Sequence, residues 1–237
     1  MKEYTLPENV SLMIATPAFS GQVTVEYCQS FAKTCHHLSL HKIPITIFIR
    51  KSGSLLIAER NRILQRFNNS DCTHLLCIDS DIAWNYEDVF SLLARQKEII
   101  AACYLARGQN RYVFRPVNQE YLDIGNDGLI EMMAVPAGFL MISKKGLQQM
   151  IENLPELYYC PKYPNPEDKD DGYAFFNTMV YDKEFWGEDF SFCLRAREAG
   201  LKIWVDPQIE LNHAGSKGKL IDAINEIPNE DIYVKTP

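Results

Sequence analysis

Long apolar runs are missing from this sequence: no stretch of eighteen or more hydrophobic residues occurs, so nothing in it reads as a membrane-spanning helix. The opening residues MKEYTLPENV lack the basic start and apolar core of a secretory leader, which makes a cytoplasmic location the expectation. Paired cysteine spacing is missing too. The seven cysteines, Cys28, Cys35, Cys72, Cys77, Cys103, Cys160 and Cys193, are odd in number and scattered without a CxxC pair. That pattern argues against a disulfide framework or a zinc site and leaves reduced core thiols. Positive charge is in deficit, with a formal net charge of -7. A broad grip on nucleic acid depends on Lys and Arg neutralising phosphates, so that class of partner is disfavoured, while a local basic pocket for one diphosphate stays compatible. Internal repeats and low-complexity tracts are absent as well.

What is present suffices for a substantial core: 237 residues, 46% of them hydrophobic, fit one domain over 1–237 better than two small ones. VSLMIATPAF reads as a buried strand that stops at Thr16-Pro17, where proline removes a backbone donor. Apolar residues at roughly helical spacing predict a helix from Val23 to Leu40, followed by a strand at Ile45 to Arg50 and a helix from Ile57 to Phe67. HLLCID, His74 to Asp79, is apolar on both faces, as a central strand covered by helices must be. Beyond it the pattern predicts a helix over Tyr86 to Lys97, a strand at IIAACYL, and one strand over Met132 to Ser143 interrupted by Gly138. Helices over Lys144 to Leu154 and Glu188 to Ala199, the second closed by Gly200, and a strand at KIWVD complete the series. Such alternation is the mark of an α/β fold. The segment from Tyr159 to Asp182 mixes aromatics, prolines and acids and reads as a long lid or acceptor loop, with Phe175-Phe176 suggesting partial order. The tail from Lys217 is either a docked helix or mobile.

Asp79 and Asp81 lie where the apolar strand leaves the sheet, the carboxyl edge at which open α/β sheets bind ligands. Residues two apart on a strand point the same way, so the pair is placed to share one hard cation, which in turn holds phosphate oxygens. The plain alternative is a turn or a cap for the next helix. Glu188 and Asp189 open a helix, where the dipole favours negative charge. Capping explains them, and so does a general base that takes a proton from an attacking hydroxyl. His213 follows a strand and offers an imidazole to a metal, although a lone histidine is more often structural. Trp84 and Trp186 suit sugar stacking or plain packing. Arg107 and Arg111 suit a diphosphate clamp or are loop charges.

In order and spacing, the ATPAF strand end, AERN at Ala58 to Asn61, IDSDIAW, PAGFLMIS at Pro136 to Ser143, GEDFSFCLRAREAG and WVDPQIELNHAG resemble the GT-A glycosyltransferases. The likeness is to small single-domain, DxD-containing members that depend on nucleotide sugars, of the kind found in viral and bacterial glycan-building clusters. It implies a Rossmann-like three-layer α/β/α sandwich around a central mixed, mostly parallel sheet. It also implies transfer of a sugar, hexosyltransferase-like, from a nucleoside diphosphate, UDP above others, to a carbohydrate hydroxyl, with inversion and with Mn2+ or Mg2+. By the same resemblance Thr16, Pro17 and Ala18 lie under the base and ribose, and Arg60 and Asn61 approach the nucleotide unless they form a solvated helix face. Asp79 sits near ribose or metal with Ser80 beside it, Asp81 and His213 are metal ligands, and Gly138, between Ala137 and Phe139, allows close approach of the donor sugar. Asp189 is the base, with Glu188 as acceptor contact or alternate base.

Two other classes compete. A sugar-phosphate nucleotidyltransferase would carry a Gly-rich basic loop after its first strand, and ATPAFSGQ has neither the glycine density nor any Lys or Arg. A non-catalytic nucleotide-sugar or carbohydrate-binding module would be expected to have lost part of the set, yet Asp81, Asp189 and His213 are all present. Donor sugar, acceptor and oligomeric state are carried by no transferable motif.

Overall fold

The structure is a computed structural model that describes residues 4–19, 21–52, 55–109, 111–118, 121–160, 171–226 and 233–235. The first half runs β1 (Leu12–Phe19), α1 (Val25–Leu40), β2 (Ile45–Ser52), α2 (Leu56–Asn68), β3 (His74–Ile78), β4 (Ile82–Ala83), α3 (Tyr86–Ala94) and β5 (Ile99–Ala101). Then come β6 (Arg115–Pro116), β7 (Tyr121–Asp123), β8 (Ile130–Ala134), β9 (Phe139–Ser143) and α4 (Lys144–Asn153). Two hairpin-like pairs follow, β10 (Tyr158–Tyr159) with β11 (Gly172–Tyr173) and β12 (Met179–Tyr181) with β13 (Glu184–Trp186). The chain closes with α5 (Glu188–Glu198), β14 (Ile203–Val205), β15 (Glu210–His213), β16 (Ser216–Lys219), α6 (Leu220–Glu226) and β17 (Tyr233–Lys235).

Eight strands form the main sheet in the order β2-β1-β3-β9-β5-β14-β8-β6. Only β9 and β8 run against the common direction, so the sheet is mixed and mostly parallel. The period of two decides which core each side chain joins. Met13, Ala15, Leu75, Cys77, Leu140 and Ile142 pack on one face with Ile63 and Phe67 of α2, Leu147 of α4 and Phe192 of α5. Leu12, Ile14, Leu76, Ile78, Phe139 and Met141 pack on the other with Tyr27 and Leu38 of α1 and Val89 and Leu93 of α3. Two cores on either side of one sheet make the three layers of the α/β/α sandwich. No helix among the described residues is long and apolar enough to cross a membrane.

Several boundaries differ from the sequence reading. The first strand does not stop at Thr16-Pro17 but continues to Phe19. Past Ala15 it is paired only with β2, so a residue without an N–H is tolerated there. The single strand expected over Met132 to Ser143 is two, β8 and β9, which lie three places apart in the sheet with β5 and β14 between them. Of the segment expected as a lid or acceptor loop, residues 161–170 lie outside the described residues; Tyr159, Gly172–Tyr173 and Met179–Tyr181 belong to β10, β11 and β12, and residues 174–178 between the last two are turn and coil. Phe175 and Phe176 are fully buried, and Phe176 stacks on Phe192 of α5 with ring centroids 4.6 Å apart. The tail after residue 217 contributes β16 and α6, and β17 pairs parallel with β7.

Candidate active site

β3 ends at Ile78 and the chain turns at once. The Asp79 N–H donates to the Gly138 carbonyl at 3.0 Å, and the Ile82 N–H closes the turn on the Asp79 carbonyl at 3.1 Å. Thr24, the N-cap of α1, donates its own N–H to the Ser80 carbonyl at 2.9 Å, which ties the turn to the first helix. The turn lies at the carboxyl edge of the sheet, where side chains are free to meet a ligand.

Because Asp79 and Asp81 sit in a turn and not on an extended strand, they diverge instead of pointing the same way. Asp79 Oδ1 accepts from Arg60 Nη2 at 2.8 Å. Asp81 Oδ2 instead pairs with Arg107 and stands 3.3 Å from His213 Nε2. In this arrangement Asp79 is paired with an arginine, and Asp81 with a histidine and a second arginine. No three His, Cys, Asp or Glu side chains converge on a metal-holding arrangement among the described residues.

The Asp81–His213 pair is well set. His213 Nδ1 lies 2.8 Å from the Leu105 carbonyl, so Nδ1 carries a proton and Nε2 is the atom turned to Asp81. Its hydrogen bond to His213, ahead of the one to Arg107, holds the Asp81 carboxyl down at about 2. The same bond raises the imidazole above its ordinary value. Strand pairing between β15 and β4, His213 opposite Ile82, delivers the histidine to the turn.

Arg60 is the cation at the centre of the other half. Its residue is 3% exposed on α2. Nη1 donates to the Ala137 carbonyl at 3.3 Å, Nη2 to Asp79, and Nε faces Glu188 Oε1 at 3.6 Å, too long for a hydrogen bond. Burial works against the charge, but Asp79 foremost, with Glu188 among the others, more than offsets it, and the guanidinium is held above its usual pKa. Arg60 thus joins the acid that ends β3 to the acid that opens α5. Gly187 caps α5 without a side chain, which leaves Glu188 and Asp189 in the first turn, half-buried. Asp189 Oδ1 accepts the Phe190 N–H at 2.8 Å. Burial, and next the Glu188 charge, push the Asp189 carboxyl up to about 6.

Tyr104, which the sequence reading passed over, connects the two halves. It is buried just beyond β5, its ring is edge-on to His213 with centroids 4.9 Å apart, and burial followed by Asp79 keeps its hydroxyl well above the usual pKa. A Cβ on Gly138 would overlap the Tyr104 hydroxyl and come within 2.7 Å of Asp79 Oδ2. Glycine is required there by close approach, not by its backbone angle. The signal available in the sequence was a polar-tipped aromatic directly past a buried strand at the sheet's ligand edge.

Other expected residues take different places. Arg60 and Asn61 are buried, so the solvated-face alternative falls. Asn61 accepts the Phe176 N–H at 2.8 Å and donates to Asn177 at 3.0 Å, fixing the segment before β12. Thr16, Pro17 and Ala18 are buried, and Thr16 Oγ1 lies 2.6 Å from the Tyr27 hydroxyl inside the core. Their side chains are not offered to a ligand. Trp84 is core, its indole N–H donating to Thr34 at 2.9 Å. Trp186 is buried under Arg115, whose guanidinium carbon is 4.5 Å from the ring centroid.

No protein-family model matches the chain, and no curated protein sequence matches it. Solved structures do. The backbone is similar to that of A197 from STIV, at 14% identity over 86% of this chain and 85% of that one, with a TM-score of 0.50. It is also similar to a mutant of the Drosophila β1,4-galactosyltransferase 7 in complex with manganese, UDP-Gal and xylobiose (14% identity, 89% and 71% covered, TM-score 0.43). A third is S. aureus TarS in complex with UDP-GlcNAc (12% identity, 83% and 56% covered, TM-score 0.46). At these identities the likeness is one of fold alone, a mixed α/β fold with a large, mostly parallel central sheet.

Proposed function

We propose that the protein is a metal-dependent glycosyltransferase that moves a sugar from a nucleoside diphosphate sugar, with UDP as the carrier, to a hydroxyl of a carbohydrate acceptor with inversion. The observation that carries the reading is the meeting, at one sheet edge, of an aspartate–imidazole pair with a second carboxylate held near pH 6, the two halves linked by Tyr104. A general base works best with a pKa near the working pH, and Asp189 meets that condition.

Asp81 and His213 would hold Mn2+ or Mg2+. One carboxylate and one imidazole fit a cation that takes few protein ligands and completes its shell with phosphate oxygens. When bound, such a cation neutralises the departing diphosphate. Arg107, its side chain 67% exposed, is able to exchange Asp81 for a phosphate oxygen, for which a planar guanidinium is suited. Arg60 acts at one remove: it binds Asp79, faces Glu188 and so fixes the turn that carries Asp81. The backbone of Thr16, Pro17, Ala18 and Ser80, with Gly138, borders the nucleotide and donor sugar, while Asn61 orders the segment at Phe176. Asp189 takes the proton of the acceptor hydroxyl, and Glu188 contacts the acceptor and keeps its neighbour's pKa high. Attack on the anomeric carbon from the face opposite the leaving diphosphate inverts its configuration.

Incubation with Mn2+ and a panel of nucleotide sugars tests this. Slow UDP release from one donor, faster with an acceptor and giving the inverted anomer by NMR, is the expected result. Pyrophosphate made from a sugar phosphate and a nucleoside triphosphate would replace it with a nucleotidyltransferase, and tight binding without turnover would replace it with a binding module.

A further inference from the structure

The small sheet formed by β16, β15 and β4 has two faces. His213 on β15 turns to Asp81, whereas its neighbour Asn212, opposite Ala83, lines a separate cleft of about 600 Å3 between this sheet and α1. That volume falls within the range of small-molecule sites, about 300–1,000 Å3. The lining is built from polar side chains on two facing walls. Glu26, Gln29 and Lys33 follow one another at helical spacing and share one face of α1. Opposite them Glu210 and Asn212 share one face of β15, and Gln208 lines the cleft from the turn that precedes the strand.

The chemistry of the lining selects its ligand. An anion is disfavoured: Glu26 and Glu210 line the cleft, no arginine does, and the N-terminus of α3 beside it is already capped. There the Asn85 side chain accepts from Glu87 and the Asp88 carboxyl accepts the Asn85 N–H at 2.9 Å. A cation is opposed by Lys33, Lys217 and Lys219, and Lys217 neutralises Glu210 at 2.8 Å. Burial pushes the Asp88 carboxyl up to about 7, which adds a donor at neutral pH. The side-chain amides of Gln29 and Gln208 make no hydrogen bond to the protein among the described residues. What remains is a dense alternation of donors and acceptors with nearly cancelling charge, the complement of a ligand rich in hydroxyls and without charge of its own.

We propose that this cleft is a binding site for a neutral oligosaccharide, separate from the candidate active site. The inference stands on the cleft alone and holds whether or not the protein transfers sugars. Its test is titration of 15N-labelled full-length protein with maltohexaose, xylohexaose, mannohexaose and chitohexaose, followed at the side-chain amide resonances of Gln29, Gln208 and Asn212. At least one of them is expected to shift these resonances, equally in an Asp189→Asn variant, so that loss of activity and loss of this site are told apart. In Gln29→Ala/Gln208→Ala, both at exposed positions, affinity should fall tenfold or more with an unchanged melting temperature. No shift with any of the four, undiminished binding by the double variant, or shifts produced by inorganic phosphate instead would overturn the proposal.

Discussion

Arg60 and Asp79 meet at 2.8 Å, the arginine side chain 3% exposed and the aspartate 26%. Removing the aspartate leaves a buried guanidinium whose nearest remaining carboxylate among the described residues is Glu188, at 3.6 Å. Loss of one member of a buried pair costs ~3–5 kcal/mol, and partial solvation of Asp79 brings the expectation for Asp79→Ala to about 2–4 kcal/mol. The urea midpoint should fall by that equivalent with an unchanged m-value. Arg60→Met/Asp79→Leu, which removes both charges, should lose less than Asp79→Ala. A single variant as stable as the parent would mean that water reaches Arg60.

Gly138 and Tyr104 make a second coupled pair. Since a Cβ at 138 would overlap the Tyr104 hydroxyl and crowd Asp79, Gly138→Ala should destabilise the protein by about 1–3 kcal/mol through overpacking. Tyr104→Phe removes the atom that is struck, so the alanine should cost less in that background. A double-mutant cycle in urea measures the difference, expected at ~0.5–2 kcal/mol. Strict additivity would show that the two side chains never meet.

These two relationships mark where the sequence stopped being legible. The continuous apolar run Leu75 to Ile78 specified a central strand, and its faces divide between the two cores as the period of two requires. The separation of β8 from β9 was hidden because Val135 to Gly138 are buried like the strands on either side, so no polar turn interrupts the pattern, and Pro136 was the only further break signal beside the glycine. Asp79 and Asp81 were recognisable as edge carboxylates. His213 was expected beside Asp81 only through the resemblance; Arg60, Tyr104 and Arg107 as their neighbours were not legible, because they reach the two acids through tertiary packing that leaves no periodic trace. Asn61 was legible only as part of AERN, and its bonds to Phe176 and Asn177 depend on a segment more than a hundred residues away.

The Asp189 carboxyl, at about 6, gives a pH dependence whose sign is fixed. Its folded pKa exceeds the unfolded value near ~3.9, so the folded state binds the proton more tightly. Stability is therefore lost as pH rises from about 4 to about 6, and the loss is complete above that window. Asp189→Asn should be more stable than the parent by about 1–2 kcal/mol near pH 8 and equal to it near pH 3.5, as read from urea denaturation at the two pH values. Glu188→Gln removes the neighbouring negative charge and should move the acidic limb of the kcat/KM profile below that of the parent. A limb that moved up, or did not move, would separate the profile from Asp189.

Asp81 and Asp189 are assigned to different steps, and their variants should fail differently. Asp81→Ala removes the carboxylate that faces His213 and should abolish the Mn2+-dependent component of UDP binding in calorimetry, leaving whatever affinity the nucleotide has without metal. Asp189→Ala leaves the aspartate–imidazole pair in place, so UDP and Mn2+ should bind as in the parent while transfer falls by about 100-fold or more, the usual contribution of a general base. UDP release to water, in which the attacking water can pass its proton to bulk solvent, should fall less than transfer does. Equal loss of nucleotide binding in both variants would make Asp189 part of the donor site, and a metal response preserved in Asp81→Ala would move the cation away from His213.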